Sequence, residues 1–194
     1  VATNMQQVFG GHGYIEEWGM SQFVRDARIA MIYEGTNGVQ AMDLCGRKLA
    51  QGGGAAIQAF FTAVGDDIAA AKGDAQLAPL AEALEKALGQ QQGATMWFMQ
   101  NAMANPNHLG AGAHHYMHIM GIVSLGWMWL RMAQVAQSAL AAESDDTAFY
   151  EAKLATARYY MDRFLPDAGA LRRKLEAGAD SMMALGAEAF ATAA

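Results

Sequence analysis

Apolar positions recur along the chain with the period of an α-helix, and glycine, proline and Ser/Asp clusters cut that pattern into segments. Residues 1–8 read as the last turns of a helix with no cap before it. Gly10, Gly11 and Gly13, around His12, force a turn because glycine tolerates positive φ and close backbone approach. Periodicity resumes near Met20, with Phe23, Ala27, Ala30 and Met31 close to one face. It predicts a helix that runs through Tyr33 and Glu34 until Gly35 stops it. A new helix starts at Thr36 or Asn37, either of which can act as N-cap. Gln40 follows Asn37 by three residues, the spacing of a capping box. Asp43 and Arg47 are spaced for an i,i+4 ion pair. Gln51-Gly52-Gly53-Gly54 ends this helix and the composition changes, so we place a domain boundary there, with segments 1–51 and 52–194.

Beyond the boundary, Ile57, Phe60, Phe61, Val64 and Ile68 form an apolar stripe that Gly73 and Asp74 break. Leu77, Leu80, Leu84 and Leu88 carry the next helix, which continues past Gly89 and Gly93 toward Met103. Asn105-Pro106-Asn107 punctuates the chain, since the residue before proline disfavours the α region. A long helix is predicted over residues 110–142, where Gly121, Ser124 and Gly126 let a neighbouring helix come close to its backbone. Ser144, Asp145 and Asp146 supply caps and negative charge at a helix start. Tyr150, Leu154, Ala157, Met161 and Phe164 form the inward face of that helix. Pro166 opens a shorter segment with Leu171 and Leu175 inward, and one more short helix fits after Ala177. The fold class is therefore all-α, ending in an antiparallel bundle of four or five helices.

Composition narrows the function classes. The chain has 194 residues, 53% of them hydrophobic, enough to bury a core. A net charge of −6 and no basic block argue against a nucleic-acid partner. Tyr116 to Leu130 is the strongest apolar run, too short for the about 20 residues of a spanning helix, so no membrane span is expected. One cysteine, Cys45, fits a reducing compartment, and a cytoplasmic location is expected. Fourteen methionines suit gap-filling between helices.

Candidate chemistry centres on Ile32-Tyr33-Glu34-Gly35-Thr36-Asn37-Gly38-Val39-Gln40, where one carboxylate lies between an apolar run and a glycine. Taken with Gln7-Val8-Phe9-Gly10-Gly11-His12-Gly13-Tyr14 and Arg25-Asp26-Ala27-Arg28-Ile29, this stretch resembles the C-terminal end of an acyl-CoA dehydrogenase. The remainder, including Gly126-Trp127-Met128-Trp129-Leu130-Arg131-Met132-Ala133, is similar to the extra helical domain of the long members, those of the 3-methylmercaptopropionyl-CoA dehydrogenase type. The resemblance implies α,β-dehydrogenation of an acyl-CoA thioester, with FAD accepting a hydride at N5. It makes Glu34 the base that removes the α-proton and puts Gly35 against the substrate. Such a base works best in a mostly apolar pocket, where desolvation raises a carboxyl pKa from about 4.3 toward the working range.

The same resemblance assigns Gln7, Gly10, Gly11, Thr36, Asn37, Gly38 and Gln40 to FAD contacts. It implies an electron-transfer flavoprotein as acceptor and a homo-oligomer. His12 stands where an aromatic or small polar residue is more usual. The chain taken alone is expected neither to hold FAD tightly nor to turn over substrate; the competing reading is a helical packing or oligomerisation module without activity. Thr36 and Gln40 would use the same atoms to cap a helix as to touch a cofactor. His114 and His118, at i,i+4, can share a helix face with His108 and His115 nearby, but no cysteine or carboxylate completes a set, and no metal site is expected.

Overall fold

The helical pattern is realised as helices in a computed structural model that describes residues 1–191; no strand occurs among them. Two compact units emerge, Val1–Gln40 and Ala41–Ala194.

The larger unit is built around one helix. α4 (Ala55–Ala71), α5 (Ala78–Asn101), α6 (Pro106–Ala141), α7 (Thr147–Arg163) and α8 (Asp167–Glu176) follow one another through short connections, and α4, α5, α7 and α8 all pack on α6. The predicted stripes form its core. Ile57, Phe61, Val64 and Ile68 of α4 and Leu80, Leu84 and Leu88 of α5 are buried against Tyr116, Ile119, Val123 and Leu130 of α6. Each such side chain contributes roughly 1.5–3 kcal/mol by leaving water. By length and composition α6 is the one described helix apolar enough to cross a membrane. Within the bundle it packs against four helices, which bury 33% of its most apolar stretch.

Several boundaries differ from expectation. α6 starts at Pro106, whose missing N–H costs nothing in a first turn, and the Asn105 side chain accepts the Asn107 N–H at 3.0 Å as cap. Gly126 does admit close neighbours, since a Cβ there would lie 2.9 Å from Leu165 and 3.2 Å from Leu84. Gly121 does not: it is exposed, with nothing near its missing side chain. Phe164, expected inward, is exposed and stacks on Tyr160 at 5.1 Å instead. After Ala177 the one helical element among the described residues is a short 3₁₀ turn, Ala187–Phe190.

The smaller unit contains α1 (Ala2–Val8), a 3₁₀ turn at Gly10–Gly13, another at Glu16–Trp18, α2 (Met20–Ile29) and the first residues of α3 (Asn37–Asp43). α1 and α2 pack together, and the Gln6 amide donates to the Gly13 carbonyl at 3.2 Å. Gly13 is required there, because a Cβ would collide with the Gln6 carbonyl. This unit has almost no interior: only Gly13 and Ser21 of residues 1–40 are buried. The predicted α2 stripe is accordingly uncovered, with Phe23 66% exposed, and Tyr14 is 83% exposed.

Past the smaller unit, α3 runs into a π-helical turn, Leu44–Lys48. Arg47 pairs with Asp43 at 2.6 Å, as its spacing predicts. The wider π turn also brings Lys48 onto the same carboxylate at 3.1 Å. Hydrogen bonds from Arg47, then Lys48, lower the Asp43 pKa to about 2. Gly52, Gly53 and Gly54 then all take positive φ, which explains the three glycines that end the segment.

Candidate active-site turn

α2 stops at Ile29, five residues before the expected Glu34. The chain unwinds through Ala30 into a turn in which Met31 N–H donates to the Arg28 carbonyl and Tyr33 N–H to that of Ile29, at 3.0 and 3.1 Å. The Asn37 N–H closes the loop on the Met31 carbonyl at 3.2 Å. Glu34 sits at its apex with φ +54, and Gly35 follows at φ +104. Consecutive left-handed residues reverse the chain sharply, and Gly35 takes the more extreme value because it has no Cβ. Glu34 is exposed in the described chain.

α3 begins at Asn37, leaving Thr36 as the residue before it; the Thr36 carbonyl accepts the Gln40 N–H at 3.0 Å. The capping box expected between Asn37 and Gln40 does not form. The Gln40 side-chain Nε2 donates instead to the Glu34 carbonyl oxygen at 3.0 Å. Gly35 makes room for it, since a Cβ there would lie 2.7 Å from Gln40 Nε2. Thr36, Gly38 and Gln40 are exposed, while Gly35 and Asn37 are half-buried.

The second group lies on a separate stretch. Gln7 is an exposed residue in the last turn of α1, and Gly10 (φ +58) and Gly11 open the 3₁₀ turn after it. No atom lies within 4 Å of a Cβ built at Gly10, Gly11 or Gly38. The chain's own packing therefore does not demand glycine at Gly11 or Gly38. Among the described residues no hydrogen bond joins the Gln7–Gly11 group to the Glu34–Gln40 group.

In the larger unit, Cys45 lines an apolar crevice of about 470 Å³ with Leu49, Ile57, Thr95, Phe98 and Met99. Burial pushes the Cys45 thiol up to about 12, which keeps it in its protonated form. His114 and His118 do meet, with ring centroids 4.4 Å apart. Burial lowers the His115 pKa, aided by the charges of His114, Lys174 and His118. His108 faces elsewhere, its Nδ1 accepting the Ala179 N–H at 3.1 Å. Among the described residues no three potential ligands gather as a metal site needs. Sequence reasoning missed two arrangements: the Gln40 tie, which spans six residues where a capping box spans three, and the bond from the Trp127 indole to Asp67, which nothing local signals.

Comparison with known proteins places these observations. Residues 1–49 match the family model described as acyl-CoA dehydrogenase, C-terminal domain, and residues 55–186 match that described as acetyl-CoA dehydrogenase C-terminal like. The chain is 33% identical to a 3-methylmercaptopropionyl-CoA dehydrogenase of Ruegeria pomeroyi, over 94% of this chain and 31% of that protein. It is 31% identical to the broad-specificity linear acyl-CoA dehydrogenase FadE5 of Mycobacterium tuberculosis, over 97% and 32% respectively. A short-chain specific acyl-CoA dehydrogenase of Megasphaera elsdenii is 55% identical over 42 residues, 22% of this chain. The chain thus spans about a third of the length of the first two relatives.

Proposed function

The chain belongs to the acyl-CoA dehydrogenase family, and from that premise we propose that it carries the base and part of the flavin-facing surface of an FAD-dependent enzyme that desaturates an acyl-CoA thioester. The observation that carries this reading is the Glu34 turn: a carboxylate at positive φ on the apex of a loop, followed by a glycine and by the start of a helix. Glu34 takes the α-proton onto its carboxylate. Gly35, next in the chain, lies against the thioester in this reading. Bound FAD supplies the acceptor for the β-hydride.

Gln7, Gly10 and Gly11 on one stretch, and Thr36, Asn37, Gly38 and Gln40 on the other, would hold the cofactor. The open space at Gly10, Gly11 and Gly38 supports that fit. These stretches supply edges of a flavin site, so in this reading FAD binding and turnover belong to a protein of the relatives' full length, and the 194 residues alone support neither. The domain border is proposed at 51/52, at the start of the left-handed glycine segment and between the two family matches.

The uncovered apolar side chains of Val1–Gln40 support burial against further protein, including other copies in a homo-oligomer. The same exposure favours, as a second reading, a packing module without chemistry. One substitution separates the two. In the full-length enzyme, Glu34→Gln should retain FAD and slow flavin reduction by acyl-CoA by about 10²–10⁴-fold or more, the usual worth of a general base. Anaerobic stopped-flow spectroscopy reads this directly, and an unchanged rate removes Glu34 as base. The reduced enzyme is proposed to pass its electrons to an electron-transfer flavoprotein.

A further inference from the structure

We infer that Gln40 is a positioning residue for the proposed base: its side-chain amide ties the Glu34 carbonyl to the first turn of α3 and so fixes where the Glu34 carboxylate points. The inference rests on Glu34 being that base.

Among the described residues, Glu34 and Glu143 are the only non-glycine residues with positive φ. A left-handed residue with a Cβ is sterically disfavoured and persists only where its surroundings hold it. At Glu143 the backbone does the holding. Its N–H reaches the Leu140 carbonyl at 3.2 Å and the Ser144 N–H reaches that of Ala139 at 3.2 Å, the paired bonds of a Schellman helix end. Glu34 has no such pair: α2 has already ended at Ile29, and neither the Glu34 nor the Gly35 N–H makes a backbone hydrogen bond. The Asn37 N–H to Met31 carbonyl bond at 3.2 Å closes the loop around Glu34, and the bond to Glu34 itself comes from a side chain six residues on, Gln40 Nε2 to Glu34 O at 3.0 Å, lying across a glycine that leaves it room.

That carbonyl belongs to the peptide joining Glu34 to Gly35, so anchoring it limits rotation about the Glu34 Cα–C bond and the Gly35 N–Cα bond that flank this peptide. Glutamate places its carboxylate three bonds beyond Cα, and a small backbone rotation therefore swings the oxygens far. Misplacing a reacting group by about 1 Å can cost about 10²-fold in rate. Only the amide donor is used in the tie; Gln40 Oε1 remains for the cofactor contact proposed above, and the test must separate the two roles.

In the full-length enzyme at saturating FAD, Gln40→Met should lower the limiting rate of flavin reduction by ~10–100-fold. Substrate affinity should change little, and the pH profile of the reduction rate should move because the carboxylate sits in a different environment. In a Glu34→Gln background the same substitution should cost nothing further. Independently of catalysis, hydrogen exchange at the amides of residues 33–38 should quicken in Gln40→Met. Unchanged rate, pH profile and exchange overturn the inference. So does a loss that appears only below saturating FAD, which would make Gln40 a cofactor contact only, or a loss that persists undiminished in Glu34→Gln. A normal rate in Glu34→Gln alone sinks the base and leaves the exchange result to report on the tie.

Discussion

Asp67 shows how one carboxylate can join two helices. Its Oδ2 accepts the Trp127 indole N–H at 2.6 Å and lies 3.7 Å from Arg131 Nε, whose guanidinium rests 5.7 Å from the Trp127 ring centre. Phe60 meets the same indole edge-on at 5.9 Å. Asp67→Ala leaves a half-buried N–H without its partner and should cost about 1–2 kcal/mol of unfolding free energy, read from urea titration. Asp67→Asn keeps an acceptor and should cost less. At this scale the sequence was legible where partners are close along a helix, as with Asp43 and Arg47. Asp67 and Trp127 are sixty residues apart, and only the packing of α4 on α6 brings them together. Gln40 falls between these cases: its spacing was seen, but the backbone of Glu34 decided which acceptor it took.

At the scale of the element, glycines within α6 divide by what faces them. Gly112 lies beneath Phe98 and Leu175, where a Cβ would come within 2.9 and 3.0 Å of their atoms. Gly121 faces open space. Replacing helical glycine by alanine gains about 1 kcal/mol of helix propensity, whereas overpacking a core costs about 1–3 kcal/mol. Gly121→Ala should therefore raise the unfolding midpoint. Gly112→Ala should lower it, because a ring and a branched side chain must both give way. Thermal or urea unfolding of the pair decides the matter, and a shift of the same sign in both removes the packing argument. The apolar stripes placed α4, α5 and α7 correctly because burial on one face imposes the helical period. The end of α2 was placed wrongly because Phe23, Ala27 and Met31 suggest a buried face that the described chain does not bury.

Across the molecule, the core of the larger unit holds three ionisable groups in their neutral forms. Burial pushes Cys45 from 9.0, and Tyr116 and Tyr160 from 10.0, up to about 12. Between those limits the unfolded chain has released protons that the folded chain keeps, so unfolding gains as pH rises. Stability should hold below about 9, fall progressively above it and lose this contribution toward about 12. Urea midpoints across that range test the slope, and Tyr116→Phe should flatten part of it above 10. A slope unchanged by that substitution would show that Tyr116 does not contribute.

By itself the sequence determined the helical class, the core stripes of the bundle and the residue types of the Glu34 turn, because periodicity, caps and glycines act locally. Only the tertiary structure decided that Glu34 stands at positive φ and that Gln40 holds its carbonyl. It also decided that the apolar side chains of residues 1–40 find almost no interior in this chain. Those outcomes depend on which distant atoms share space, and local spacing carries no record of that.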